Sequence, residues 1–255
     1  MTQPKKPQKE PLQTKDESKI LAGLLSNLPT EVDMPVELPS GNMFYKLEDP
    51  GSPITMRAMN FQDEKAMMSN KNVNVDILNT ILSRCVKNVN VAELLQIDKL
   101  YLVMKLREIS YGNEYTATIS CPSCRKDNSI VFHMNQLNVN HLEDGYENPQ
   151  PVHLPVLDKM CHVRLPRIKD EQYLSNAETT SSNMWRFVED IEGHSSKSLI
   201  QNVCKQLPLK DAHAILSVLS GGDYGLDTRI RFVCSYCSHN EIMSLPITSD
   251  FFSEN

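Results

Sequence analysis

Apolar residues in the first part of the chain fall into short, well-separated patterns. Ile20, Leu21, Leu24, Leu25 and Leu28 recur at helical spacing and form a compact stripe, predicting an amphipathic helix over 18–28. Ser18 can cap it and Pro29 stops it. Ahead of it, residues 1–17 are rich in Lys, Pro, Gln and Glu, and such a stretch cannot offset its ordering entropy by burial. Residues 1–33 therefore read as a disordered tail carrying one short helix. Leu38-Pro-Ser-Gly41 is a turn signal, because Pro fixes one φ and Gly permits a positive one. Ile54–Met59 alternates like a strand, and Asn60 caps a helix with Asp63 and Glu64 in its first turn. Val75–Val86 predicts a second helix. A third lies within Val91–Ser110, with Leu95, Leu102, Val103, Leu106 and Ile109 along one side, and Tyr111-Gly112-Asn113 ends it.

Strands follow at Tyr115–Ser120 and Asn128–His133, and residues 138–150 are polar enough to be a linker. Beyond it, 151–156 and 160–165 read as strands and a helix begins near Asp170. A polar Ser/Thr/Asn stretch runs from Ser175 to Asn183. Trp185–Ile191, Ser196–Leu207 and Lys210–Leu219 read as helices, the last broken by Ser220-Gly-Gly222. Thr228–Val233 and Asn240–Leu245 are again strands, and Asp250–Asn255 is a short tail. The expected class is α+β, organised as 34–137, the 138–150 linker and 151–255.

With 255 residues and 40% hydrophobic content the chain can bury a substantial core. A formal charge of −6 disfavours a broad nucleic-acid surface, which needs a basic face. No apolar run is long enough to span a membrane, and the opening residues lead to no signal-peptide core. Seven cysteines without an export signal point to a reducing compartment. Cys85, Cys161 and Cys204 then read as small buried apolar residues.

The other four cysteines form two Cys-x-x-Cys pairs, Cys121-Pro-Ser-Cys124 and Cys234-Ser-Tyr-Cys237, each at the tip of an expected small antiparallel hairpin. Four such thiolates close a tetrahedral shell around one Zn²⁺, leaving no open position, which is the chemistry of a structural staple. A zinc ribbon places its pairs ~15–20 residues apart, whereas here they lie in opposite halves of the chain. An internal duplication accounts for that spacing. Tyr111-Gly112 precedes Cys121 as Tyr224-Gly225 precedes Cys234. Ile54-Thr-Met-Arg57 leads to Asp63-Glu64 as His162-Val-Arg164 leads to Asp170-Glu171, and Val36-Glu-Leu-Pro39 is echoed by Val152-His-Leu-Pro155. Two hairpin knuckles related by a pseudo-twofold would then share one ion.

No catalytic apparatus is legible. The seven histidines are scattered, and only His239 lies near a cysteine pair, as a conceivable outer partner or alternative ligand. Phosphate-binding glycine loops are absent. The acidic pairs at 63–64, 143–144, 170–171 and 189–190 read as solvated helix starts or loops. A redox Cys-x-x-Cys would sit at a helix N-terminus rather than between strands.

The ordered set Val36-Glu-Leu-Pro-Ser-Gly41 with Tyr45, Ile54–Met59, Asp63-Glu64, Leu106–Gly112, Tyr115 and Cys121-Pro-Ser-Cys124 resembles the T4-type baseplate hub assembly proteins of contractile-tailed bacteriophages. The likeness is good over 34–137 and weaker over 150–247. It implies a non-enzymatic baseplate hub subunit or hub assembly chaperone, working in the host cytoplasm and the virion tail baseplate with other hub or tail proteins, or with a second copy, as partners. Ile20, Leu21, Leu24, Leu25 and Leu28 are the expected partner-binding stripe. The alternative is a zinc-ribbon nucleic-acid-binding accessory factor, motivated by Arg125, Lys126, Arg229 and Arg231 beside the cysteines.

Overall fold

The computed structural model describes residues 14–25, 33–68, 75–220, 224–245 and 249–252. Residues 1–32 and 33–255 are separate units. In the first, helix α1 spans Thr14–Leu25. It starts before the expected Ser18. Ile20, Leu21 and Leu24 are exposed on it. Leu28 lies outside the described residues.

The second unit is α+β, with short helices and, among the described residues, five small antiparallel sheets. Strands β1 (Met34–Pro35), β2 (Thr55–Met56) and β3 (Val86–Lys87) form a three-stranded sheet in that order. Helices α2 (Phe61–Met68) and α3 (Val75–Cys85) stand between β2 and β3. Helix α4 (Gln96–Tyr111) leads into the paired strands β4 (Glu114–Ser120) and β5 (Asp127–His133). After β6 (Val139–Asn140) a similar order recurs. Strands β7 (Gln150–Leu154), β8 (Lys159–Val163) and β9 (Val188–Ile191) form a second three-stranded sheet, with α5 (Ala177–Asn183) between β8 and β9. Helices α6 (Lys197–Cys204) and α7 (Leu209–Leu219) precede β10 (Gly225–Leu226), and β11 (Arg229–Val233) pairs with β12 (Asn240–Ser244).

The two sheets are anchored alike. Arg57 Nη1 donates to Asp63 Oδ2 at 2.7 Å and to the Ala58 carbonyl at 2.9 Å, while Asn60 N–H donates to the same carboxylate oxygen at 3.0 Å. Arg164 Nη1 donates to Asp170 Oδ2 at 2.7 Å and to the Leu165 carbonyl at 3.3 Å, and Arg167 N–H donates to Asp170 at 2.9 Å. Each arginine's own N–H reaches the residue preceding the third strand, Arg57 to the Cys85 carbonyl at 3.0 Å and Arg164 to Phe187 at 2.9 Å. Both Tyr-Gly pairs end on a glycine with strongly positive φ, +93° at Gly112 and +91° at Gly225. Gly225 also has no room for a side chain, since a Cβ there would lie 2.8 Å from the Ile97 carbonyl oxygen.

Several expectations are corrected. Trp185–Ile191 is not a helix: a 3₁₀ turn, Met184–Arg186, gives way to β9, whose Val188 and Ile191 pair with Val163 and Cys161 of β8. The run carries apolar residues compatible with either period, and sheet completion with burial of Phe187 and Val188 decides it. The segment from Asp170 is 3₁₀ (Ile168–Tyr173), its carboxylate turned back onto Arg164 and Arg167. The polar 175–183 stretch contains α5, because the Asn176 side chain accepts the Thr179 N–H at 2.8 Å and caps it. Asp63 and Asp170 are buried ion-pair partners rather than solvated residues. The 138–150 stretch is docked: β6 pairs with β10, and Tyr146 packs edge-on against Phe44 and Tyr224. Phe251 and Phe252, expected in a tail, are buried in the core of the first half beside Tyr115. Cys85 lies in that core, and Cys161 and Cys204 lie in a second one built on β7, β8, α6 and α7.

Burial raises the Asp63 carboxyl, but the Arg57 guanidinium, the Asn60 N–H and Arg84 outweigh it and hold it below the usual value. Asp170 is lowered in the same way, burial being outweighed by Arg164 and the Arg167 N–H. A folded value below the unfolded one gives stabilisation that is complete above the unfolded pKa, ~4, and is lost as pH falls through the folded value. Asp98, raised by burial, works in the opposite sense, so parent and variant are compared directly. Asp63→Asn should lower the unfolding free energy by about 3 kcal/mol at neutral pH, because it removes the carboxylate charge that faces the buried Arg57 guanidinium. In urea titrations the gap between variant and parent should narrow below pH ~4.

Candidate metal centre

Strand alternation brings the two cysteine pairs inward. On β4, Ile119 faces the same side as Cys121, just beyond the strand; on β11, Phe232 stands in the same relation to Cys234. Ile119, Phe232, Cys121 and Cys234 are buried together, with Ile130, Phe132, Ile230 and Met243 packed around them. This small apolar cluster joins β4–β5 to β11–β12.

The tips are built identically. Cys121 N–H donates to the Lys126 carbonyl at 3.0 Å and Arg125 N–H to the Cys121 carbonyl at 2.8 Å; Cys234 N–H donates to His239 at 2.8 Å and Ser238 N–H to Cys234 at 3.0 Å. Arg125 and Ser238 each adopt φ +59°, the left-handed conformation that folds the chain back after the second cysteine.

All four sulfurs lie within 4.8 Å of one another. Cys121 and Cys237 are 3.7 Å apart, Cys124 and Cys234 3.6 Å. Four sulfurs held tetrahedrally at ~2.3 Å from one ion stand ~3.8 Å apart, so both contacts match the edge of a metal shell. Burial opposes ionisation of Cys234, but the N–H groups of Tyr236 and Cys237 and the thiols of Cys124 and Cys237 overcome it and push it down to about 6. At Cys124 the Lys126 N–H favours the thiolate, yet burial and the three neighbouring sulfurs prevail and push it up to about 11. The cluster is compatible with a metal site, where a cation would offset the repulsion among thiolates held this close.

Asn128 ties the hairpins together and was not legible as a site residue. Its Oδ1 accepts from Ser235 N–H at 2.9 Å and Oγ at 2.8 Å, while its Nδ2 donates to the Lys126 carbonyl at 3.0 Å and lies 3.6 Å from Cys234 Sγ. The available signal was a polar residue at an inward position of β5, directly opposite Ile119. The His239 ring lies instead 3.4 Å from Glu241. Of the basic residues near the tips, Lys126 sits over the Tyr236 ring, Arg229 binds Asp227 and Arg231 binds Asn240.

A model of the T4 bacteriophage base plate protein family matches residues 33–253. The chain belongs to this family. No curated protein and no solved structure matches it. Membership gives the baseplate protein a structural place in the phage tail, with other tail proteins as its partners. No helix among the described residues is long and apolar enough to cross a membrane. The matched region begins after α1, so the helical stripe lies outside what the family model covers.

Replacing Asn128 with Ala would leave the Ser235 N–H and hydroxyl without the acceptor they share. The expected loss is about 1–3 kcal/mol of unfolding free energy, read by chemical denaturation. A Ser129→Ala variant on the outward side of the same strand should be near neutral.

Proposed function

We propose that this baseplate protein is a non-enzymatic subunit or assembly chaperone of the baseplate hub, and that Cys121, Cys124, Cys234 and Cys237 hold one structural zinc ion. The observation that carries the reading is the convergence of two thiol pairs from distant parts of a family member into one cluster. An all-thiolate set suits zinc, and a four-ligand shell leaves no position for a substrate. The ion would turn the two tips into paired zinc knuckles, fixing how the chain's halves meet.

A diverged internal duplication accounts for the shared centre. The matched Arg57–Asp63 and Arg164–Asp170 anchors, the positive-φ glycines and the equivalent tip hydrogen bonds support it. On this reading 34–137 and 151–255 are two descendants of one α+β unit. The stapled body offers a fixed surface, and the exposed Ile20, Leu21 and Leu24 of α1, with Leu25 and Leu28, engage a hub subunit or a second copy. Assembly would take place in the host cytoplasm before or during incorporation into the tail. The zinc-ribbon nucleic-acid reading gains little, because Lys126, Arg229 and Arg231 are engaged within the protein.

Metal analysis of the purified protein should return one zinc per chain, and chelation should lower the melting temperature sharply, because binding free energy at such a site is folding free energy. Cys121→Ser and Cys234→Ser should each melt well below the parent; parent-like melting with no bound metal overturns the staple. For the assembly role, tagged protein from infected cells should retain hub or tail proteins. Leu24→Asp with Leu25→Asp should abolish that retention without changing the melt of the body. Recovery of nucleic acid or polymerase without tail protein would favour the alternative.

A further inference from the structure

Two turns of this chain are held alike but finished differently. Ser40 N–H, in the Leu38-Pro39-Ser40 turn, donates to Asp98 Oδ1 at 2.9 Å. Val156 and Leu157 N–H, in the turn after Leu154-Pro155, donate to the two oxygens of Asp211 at 2.7 and 3.1 Å. Asp98 and Asp211 are fully buried, and each is the third residue of its helix, α4 and α7.

The first turn is covered. The chain passes over it after β6, Leu142 N–H donates to the Pro39 carbonyl at 2.9 Å, and the Leu142 side chain is buried with Leu95 and Leu165. Pro39 and Ser40 are buried beneath. The second turn is open. Pro155 is exposed, Val156 and Leu157 are 53% and 41% exposed, and Met160 on β8 is exposed beside them in the same hairpin. Among the described residues no donor reaches the Pro155 carbonyl. The burial is inverted relative to chemistry: the covered turn buries the polar Ser40, whereas the matching position of the open turn exposes Val156. The open turn is also pre-shaped, since the buried Asp211 carboxylate fixes both of its N–H groups, and little ordering remains to oppose binding.

We propose that the Pro155–Leu157 turn is a docking site for an extended segment of another protein, one that brings an aliphatic side chain onto Val156 and Leu157 and a backbone N–H to the Pro155 carbonyl. The backbone N–H follows from Leu142 over the Pro39 carbonyl, and the aliphatic side chain from the exposed Val156 and Leu157 themselves. The inference deepens the assembly reading, on which it rests only for the partner's being a tail protein.

The probe is a labelled peptide copying residues 137–146 of this chain, titrated against the full-length protein by fluorescence anisotropy. Saturable one-to-one binding is expected, weakened by about tenfold or more in Leu157→Ser and in Val156→Ser. It should be unchanged in Val131→Asp, which lies exposed on β5. The substituted side chains are exposed, so all three variants should melt like the parent. No binding to the parent overturns the site. Equal binding to both turn variants also overturns it, because the peptide is then exchanging with the chain's own 139–142 segment. A parent that dimerises with rising concentration while Leu157→Ser does not would make a second copy the occupant, against the proposal. The assay contains no tail protein, so its failure leaves the assembly role standing, and loss of tail-protein capture leaves this site standing.

Discussion

Two hairpins far apart in sequence meet at a small apolar cluster capped by four sulfurs, and this meeting ties distant parts of the body together. Ile119 and Phe232 supply the hydrophobic contact, and Asn128 supplies direction by reaching the Ser235 backbone and hydroxyl across the gap. A contact this small buries limited area, so hydrophobic burial alone gives it modest strength. A shared cation would add a term of a different kind. It would neutralise thiolates that otherwise repel one another, and it would make the junction and the fold rise and fall together.

The stabilisation of each half is more conventional and is repeated. Arg57 and Arg164 each enter a largely buried position with a carboxylate partner, and each carboxylate also receives a backbone N–H. Satisfying several groups at once is what makes a buried ion pair tolerable. The halves then diverge in how they are covered. The first receives Phe251 and Phe252 into its core and residues 139–142 across its Pro39 turn. The second leaves its Pro155 turn bare, and that asymmetry is where a protein of a multi-subunit particle has surface to offer a neighbour.

Much of the fold could be read directly. The α3 and α7 helices have clear apolar faces, Gly112 marks the end of α4, and the strands flanking both cysteine pairs alternate in the way a half-buried hairpin requires. Asn60 as a cap was local information too, since its side chain meets N–H groups two and three residues on. What failed was the assignment of segments whose partners are distant. Val188–Ile191 becomes a strand only because β8 is there to pair with it. The burial of Asp63 and Asp170 was missed for a nearer reason: Arg57 and Arg164 lie only six residues back, and the pairing depends on how the strand turns into the element that follows.

The sequence by itself determined the paired cysteines, their Cys-x-x-Cys spacing and the periodic elements that carry them, because thiol chemistry and side-chain periodicity are properties of neighbouring positions. Only the tertiary structure decided that the two pairs converge with their sulfurs within 4.8 Å of one another, that Asn128 bridges them, and that one Leu-Pro turn is covered while its counterpart is open. Those outcomes depend on the relative placement of elements far apart along the chain. That placement is set by the summed burial and hydrogen bonding of the whole body, which no local pattern encodes.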